Sequence, residues 1–78
     1  MLKDLVEYLV KSLVDQPEKV SITESQKDAG TLVYELRVAK DDIGKVIGKR
    51  GRTAQSIRTL LSAAGSKIGK RTGLEIIE

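Results

Sequence analysis

The sequence predicts one α+β domain in the order α-β-β-α-α-β, with three helices packed on one face of a three-stranded sheet. Three observations predict it: a 3.6-residue apolar stripe at the front of the chain, two alternating segments in the middle, and a glycine-bracketed basic dipeptide between two further helical stripes. The chain is 78 residues long. A domain of that size removes only about 60% of its unfolded surface from water, so the core is small and the stability modest. We read residues 1–78 as this single domain, without linker, repeat or low-complexity tract.

Leu2, Leu5, Val6, Leu9, Val10, Leu13 and Val14 recur at helical spacing and predict a first helix. Pro17 biases Gln16 away from helical angles, which sets the expected end near Asp15. From Lys19 to Ser25, Val20 and Ile22 alternate with Ser21 and Thr23, the pattern of a short strand. Gln26 to Gly30 is a polar turn, and Thr31 to Val38 carries Leu32, Tyr34, Leu36 and Val38 on one face. The two strands are expected to form a hairpin, with Tyr34 in the core.

Asp41 or Asp42 is positioned to cap a short helix running through Ile47, and Gly48 ends it. Beyond Gly51, Thr53 offers a cap for a helix striped by Ala54, Ile57, Leu60, Leu61, Ala64 and Ile68. Gly65 costs about 1 kcal/mol relative to Ala inside a helix and marks an expected point of fraying. Gly69 with Lys67, Lys70 and Arg71 resembles a C-terminal exit, and Leu74 to Ile77 forms the closing strand. A strand, two helices and a further strand make a crossover unit, so the last strand is expected parallel to the second.

Composition removes most catalytic chemistry. Cysteine and histidine are absent, which excludes disulfides, thiolate zinc sites, a cysteine nucleophile and an imidazole base. No cofactor or metal site is expected, and an enzyme is not. Asp4 and Glu7 interrupt the N-terminal apolar pattern where a signal peptide needs continuity, and no run approaches membrane-spanning length; a cytoplasmic, non-membrane protein is expected. Net charge is only +3, but its distribution is uneven. Lys45 through Arg71 holds eight bases and no acid, whereas residues 1–44 hold nine acids and six bases. Such segregation favours a polyanionic partner.

The chemistry sits in Val46-Ile47-Gly48-Lys49-Arg50-Gly51-Arg52. Two glycines around two residues permit a turn too tight for side chains and let a phosphodiester approach the main chain, while the following helix presents its positive end and Lys49 and Arg50 add full charges. This motif resembles the signature of KH domains, whose GxxG loop clamps about four nucleotides by their backbone. The element order resembles the bacterial type II arrangement. The stretch from Asp42 to Leu60 is similar in particular to the small single-KH-domain bacterial RNA-binding proteins of the KhpA family.

The resemblance implies single-stranded RNA binding, in the role of an RNA chaperone or post-transcriptional regulator. It implies a clamp of Gly48, Lys49, Arg50 and Gly51, helped by Lys45, with Arg52 and Arg58 reaching phosphates. Ile43, Val46, Ile47 and Ile57 would line an apolar groove under the bases, although apolar helix positions are more often core. The strand side of the groove would come from around Arg37 and Val38. Tyr8 and Tyr34 are the only aromatics, so aromatic base stacking is largely unavailable. Weak single-domain binding then favours paired sites. The resemblance implies a homodimer or a second, larger KH protein (KhpB, also called Jag); from the sequence itself, the exposed remainder of the closing helix near Ala63 and Ala64 is expected to offer a flat contact surface.

Three rivals compete. A nucleotide-hydrolase phosphate loop needs four residues between its glycines and Ser or Thr after the Lys; Gly44 and Gly48 enclose three, and Arg50 follows Lys49. A helix-turn-helix DNA binder would read bases with Gln55, Arg58 and Ser62, yet it explains neither the cations in the turn nor the strands. A protein-interaction module would use the basic face for an acidic partner.

Overall fold

The structure is a computed structural model and describes residues 2–78. Its helices are α1 (Leu2–Lys11), α2 (Ile43–Ile47) and α3 (Arg52–Lys67), and its strands β1 (Ser21–Asp28), β2 (Thr31–Arg37) and β3 (Arg71–Ile76). Tight 3₁₀ turns occupy Pro17–Lys19, Lys40–Asp42 and Lys49–Gly51. The sheet order is β1-β2-β3; β1 runs antiparallel to β2, and β3 runs parallel to it. This is the expected α+β arrangement, including the parallel closing strand.

One apolar cluster joins the helices to one sheet face. Leu2, Val6 and Val10 of α1, Val46 of α2 and Ile57 and Leu61 of α3 meet Ile22, Tyr34, Leu36 and Leu74 of the sheet. Tyr34 is in the core, as its position beside Leu32 and Leu36 predicts. Its hydroxyl is buried without a hydrogen-bond partner. Burial first, and then the Glu24 carboxyl on the paired strand, push its pKa up to about 12.

Several boundaries differ from expectation. Helix α1 stops at Lys11, short of Asp15, because the chain peels away to donate the Asp15 and Gln16 amides to the Asp42 carboxylate, at 3.2 and 3.0 Å. Strand β1 starts at Ser21, after the Pro17–Lys19 turn, and runs on to Asp28, with a bulge between Gln26 and Asp28. Asp28 closes the hairpin by accepting from the Gly30 amide at 2.9 Å; that bond first, then the Thr31 side chain, holds its carboxyl below its ordinary range.

Helix α3 does not fray at Gly65 but passes through it to Lys67. A Cβ at Gly65 would lie 2.7 Å from Thr72 Cγ2 and 2.9 Å from the Lys70 carbonyl, so the glycine permits close packing of α3 on β3. The exit is a Schellman closure: Lys70 N donates to Gly65 O at 2.8 Å, Gly69 N donates to Ser66 O at 3.1 Å, and Gly69 takes φ +72°. Leu60 and Ile68, expected on the buried stripe, are exposed.

Candidate nucleic-acid interface

The interface is built on a buried carboxylate. The sequence offers Asp42 as one of two helix caps, but its side chain makes no cap bond and instead holds the segment after α1 against the start of α2. It is 1% exposed, which charged groups tolerate only when hydrogen-bonded. Lys45 reinforces the junction, its ammonium 3.0 Å from Asp15 and 3.7 Å from Asp42. The hydrogen bond to Asp15, then its charge, raise the Lys45 pKa. Lys45 is therefore not the free cation that its place in the basic run suggests.

With α2 fixed at its start, its end delivers the loop. Gly48 closes α2 through its amide, which donates to Gly44 O at 2.9 Å, and turns the chain at φ +76°. A Cβ there would collide with Thr53 Oγ1 and lie 2.9 Å from the Thr53 amide nitrogen, so the missing side chain of Gly48 accommodates the protein itself. Gly51, at φ +74°, differs: a Cβ there would meet open space. Only the second glycine leaves bare peptide facing outward. Arg50 between them is left-handed at φ 59°, a conformation costing a non-glycine residue about 1–2 kcal/mol.

The polar groups of the loop are unspent. Gly51 N donates to Gly48 O at 3.1 Å, but the Lys49 and Arg50 amides donate to no main-chain carbonyl among the described residues. Thr53 does not cap α3; Gly51 occupies that position, and no side chain caps the first turn. Lys49, Arg50 and Arg52 are exposed around a shallow hollow of about 170 Å³, without an acid within ion-pairing distance among the described residues. Helix dipole, free amides and three cations all favour an anion at one place.

Of the four expected groove residues, Val46 and Ile57 are buried in the core, because α2 and α3 turn them onto the sheet. Ile43 and Ile47 keep partial exposure. Arg58 lies between α3 and β3, donating to Leu74 O at 3.3 Å, about two turns from the loop. The expected strand wall at Arg37 and Val38 is also corrected. Strand β2 is central, Arg37 pairs with Ser21, and Val38 packs on the core. The edge beside α3 belongs to β3.

Sequence reasoning did not single out Thr72 and Gly73, which face the open side of β3 toward α3, and it assigned Gln55 only to a DNA-reading alternative. The signal was present in part: Arg52, Gln55, Thr59 and Ser62 recur at helical spacing as a polar face, and all four are exposed. With Arg58 and Thr72, Gln55 and Thr59 border a wide depression along α3.

Comparison with known proteins follows the same outline. A family model described as "KhpA/KhpB, KH domain" matches residues 3–76. "RNA-binding protein KhpA" of Aquifex aeolicus is 54% identical over 77 residues, covering 99% of this chain and 96% of that one. Proteins of the same name from Chlamydia caviae and Listeria monocytogenes are each 52% identical over 77 residues, covering 99% of this chain and 97% and 100% of theirs. Among solved structures, Aquifex aeolicus Era bound to GDP and AlF4⁻ superposes with TM-score 0.67 at 19% identity, covering 96% of this chain and 29% of Era. Era in complex with MgGDPNP and nucleotides 1506–1542 of 16S ribosomal RNA gives TM-score 0.65 at 14% identity, covering 97% of this chain and 30% of Era. At those identities the likeness is one of fold.

Proposed function

Because the chain belongs to the KhpA/KhpB KH-domain family, we propose that it binds single-stranded RNA by seating the sugar-phosphate backbone on the loop Gly48-Lys49-Arg50-Gly51. The observation that carries this reading is the coincidence, at one exposed junction, of unbonded amides, an uncapped helix start and three unpaired cations. A phosphodiester satisfies all three. Arg52 extends the cationic surface along α3, and the exposed parts of Ile43 and Ile47 offer apolar contact to a base.

The activity is binding without catalysis, in the cytoplasm, as an RNA chaperone or post-transcriptional regulator. No helix among the described residues is long and apolar enough to cross a membrane. A single loop gripping about four nucleotides gives modest affinity. Pairing with a second copy or with a KhpB/Jag-like KH protein raises the effective concentration of the second site.

A salt titration tests the clamp. For single strands, log K falls with log salt by about 0.7 per phosphate neutralised, so two to four contacts give a slope of roughly −1.4 to −2.8. Lys49→Asp combined with Arg50→Asp should leave the circular dichroism unchanged and abolish RNA binding. Undiminished binding by the folded double variant would refute the assignment.

A further inference from the structure

Lys49 combines two properties that no other lysine among the described residues shares: an unengaged side chain and a place on an anion site. Lys11 is paired with Glu7 at 3.5 Å, Lys45 with Asp15 at 3.0 Å, and Lys70 donates to Ala29 O at 2.7 Å. Lys3, Lys19, Lys27 and Lys40 are exposed, but each adjoins an acid in sequence, which repels an incoming anion. Lys67 is exposed in the last turn of α3, where the helix dipole is negative. Lys49 stands before the first turn of the same helix, where the dipole is positive, and lines the loop hollow of about 170 Å³ together with Arg50 and Arg52.

That hollow is smaller than the about 300–1,000 Å³ of sites for drug-sized molecules, so it suits a small anion. Two arginines, the uncapped start of α3 and the Lys49 and Arg50 amides, which donate to no main-chain carbonyl among the described residues, suffice to hold a phosphate. The Lys49 side chain is then left over beside a bound phosphoryl group. Its neutral amine is a nucleophile.

We propose that the loop binds small acyl phosphates, such as acetyl phosphate, and that Lys49 accepts the acyl group. The donor's phosphate occupies the hollow and its carbonyl carbon meets Nζ. After the ammonium loses a proton to water, the amine attacks that carbon. An N–C bond forms, the C–O bond to the phosphate breaks, and inorganic phosphate leaves with the electron pair and the second proton. The product is an N-acyl-lysine, and no oxidant or reductant is consumed. Acylation removes one of the three loop cations, so it lowers RNA affinity. That consequence rests on the RNA-binding reading above; the acyl transfer itself does not.

The full chain is incubated with acetyl phosphate at mildly alkaline pH, and acylation of each lysine is followed by mass spectrometry. Lys49 should react at least about tenfold faster than Lys67, the effect of holding the donor beside one amine. Inorganic phosphate should remove that preference by competing at Lys49 alone, and phenyl acetate, an uncharged donor, should not show it. Arg50→Gln combined with Arg52→Gln should bring Lys49 down to the Lys67 rate; if that variant does not fold, Arg52→Gln alone should still slow Lys49. Equal rates at Lys49 and Lys67 overturn the proposal, as does a Lys49 preference that survives phosphate, the uncharged donor or loss of the arginines from a folded variant. Protein acylated at Lys49 should bind RNA more weakly, with a salt slope smaller by about 0.7. Preferential acylation without any change in RNA affinity would refute the clamp and leave the acyl-acceptor site; uniform acylation with RNA binding intact would refute the site and leave the clamp.

Discussion

Replacing Asp42 should both unfold and disarm the protein. A domain of this size has about 4–12 kcal/mol of stability in total. The Asp42 carboxylate accepts two amides from a segment 26 and 27 residues away, at 3.0 and 3.2 Å. Hydrogen bonds to charged groups contribute about 1.5–3 kcal/mol each. Because both amides are only partly buried, water recovers some of that in the variant, and the Lys45 contact at 3.7 Å adds little because the ammonium is half-exposed. Asp42→Ala should therefore cost about 2–4 kcal/mol. Asp42→Asn retains one acceptor oxygen but turns an NH2 group toward the other amide, and should cost about half as much. In urea unfolding followed by circular dichroism, a slope of about 1–1.5 kcal/mol/M moves the alanine midpoint down by about 2 M. RNA affinity should fall as well, since α2 then has no fixed start from which to present Gly48. An alanine midpoint within about 0.5 M of wild type at unchanged slope would show that the junction is held by something else.

Tyr34, the loop glycines and Arg50 each give a shorter test. The folded Tyr34 pKa, about 12, lies above its unfolded value near 10. Its contribution is complete below pH 10 and is lost as pH rises toward 12, so the protein should lose up to about 3 kcal/mol across that window. Tyr34→Phe, which removes an unpartnered hydroxyl, should be at least as stable at pH 7 and should flatten the alkaline loss in a midpoint-versus-pH series. The two loop glycines should separate in thermal melts: Gly48→Ala meets Thr53 and a positive φ together and should cost at least about 3 kcal/mol, whereas Gly51→Ala meets only the φ and should cost about 1–2 kcal/mol. Arg50→Asn should leave the melting temperature unchanged or slightly raised, because Asn tolerates the left-handed region, while lowering RNA affinity and the salt slope by about 0.7.

What the sequence made legible was whatever is decided within a few residues. The stripe from Leu2 to Val10, the alternation through Thr31–Val38 and the glycines at 48 and 51 each specify local geometry through periodicity or φ, and the parallel closing strand follows from the two-helix crossover that precedes it. What stayed illegible depends on partners far along the chain. Asp42 resembles a helix cap until Asp15 and Gln16 arrive to claim it, and Lys45 resembles part of a basic clamp until Asp15 pairs with it. Periodicity places Val46 and Ile47 on neighbouring faces of one short helix, but which of them joins the core cluster with Tyr34 and Leu36 is fixed by tertiary packing. The strand wall was misassigned for a related reason: alternation identifies strands, and only the sheet order shows which has an open edge.

These distant contacts also explain how so small a domain can present so costly a loop. A left-handed arginine, two glycines that lose wide backbone freedom on folding and three unpaired cations within five residues all oppose the folded state, and none is compensated inside the loop. They persist because both flanks are held: α2 by the buried Asp42, and α3 by Ile57 and Leu61 against the sheet. The strain is thus met during folding, leaving the clamp ordered before RNA arrives and reducing the conformational entropy lost on binding. On that account, weakening the Asp42 brace should slow or weaken RNA capture more than an equally destabilising cavity in α1, such as Val6→Ala. Equal losses of affinity at equal losses of stability would mean that the loop needs only a folded domain behind it, not a fixed one.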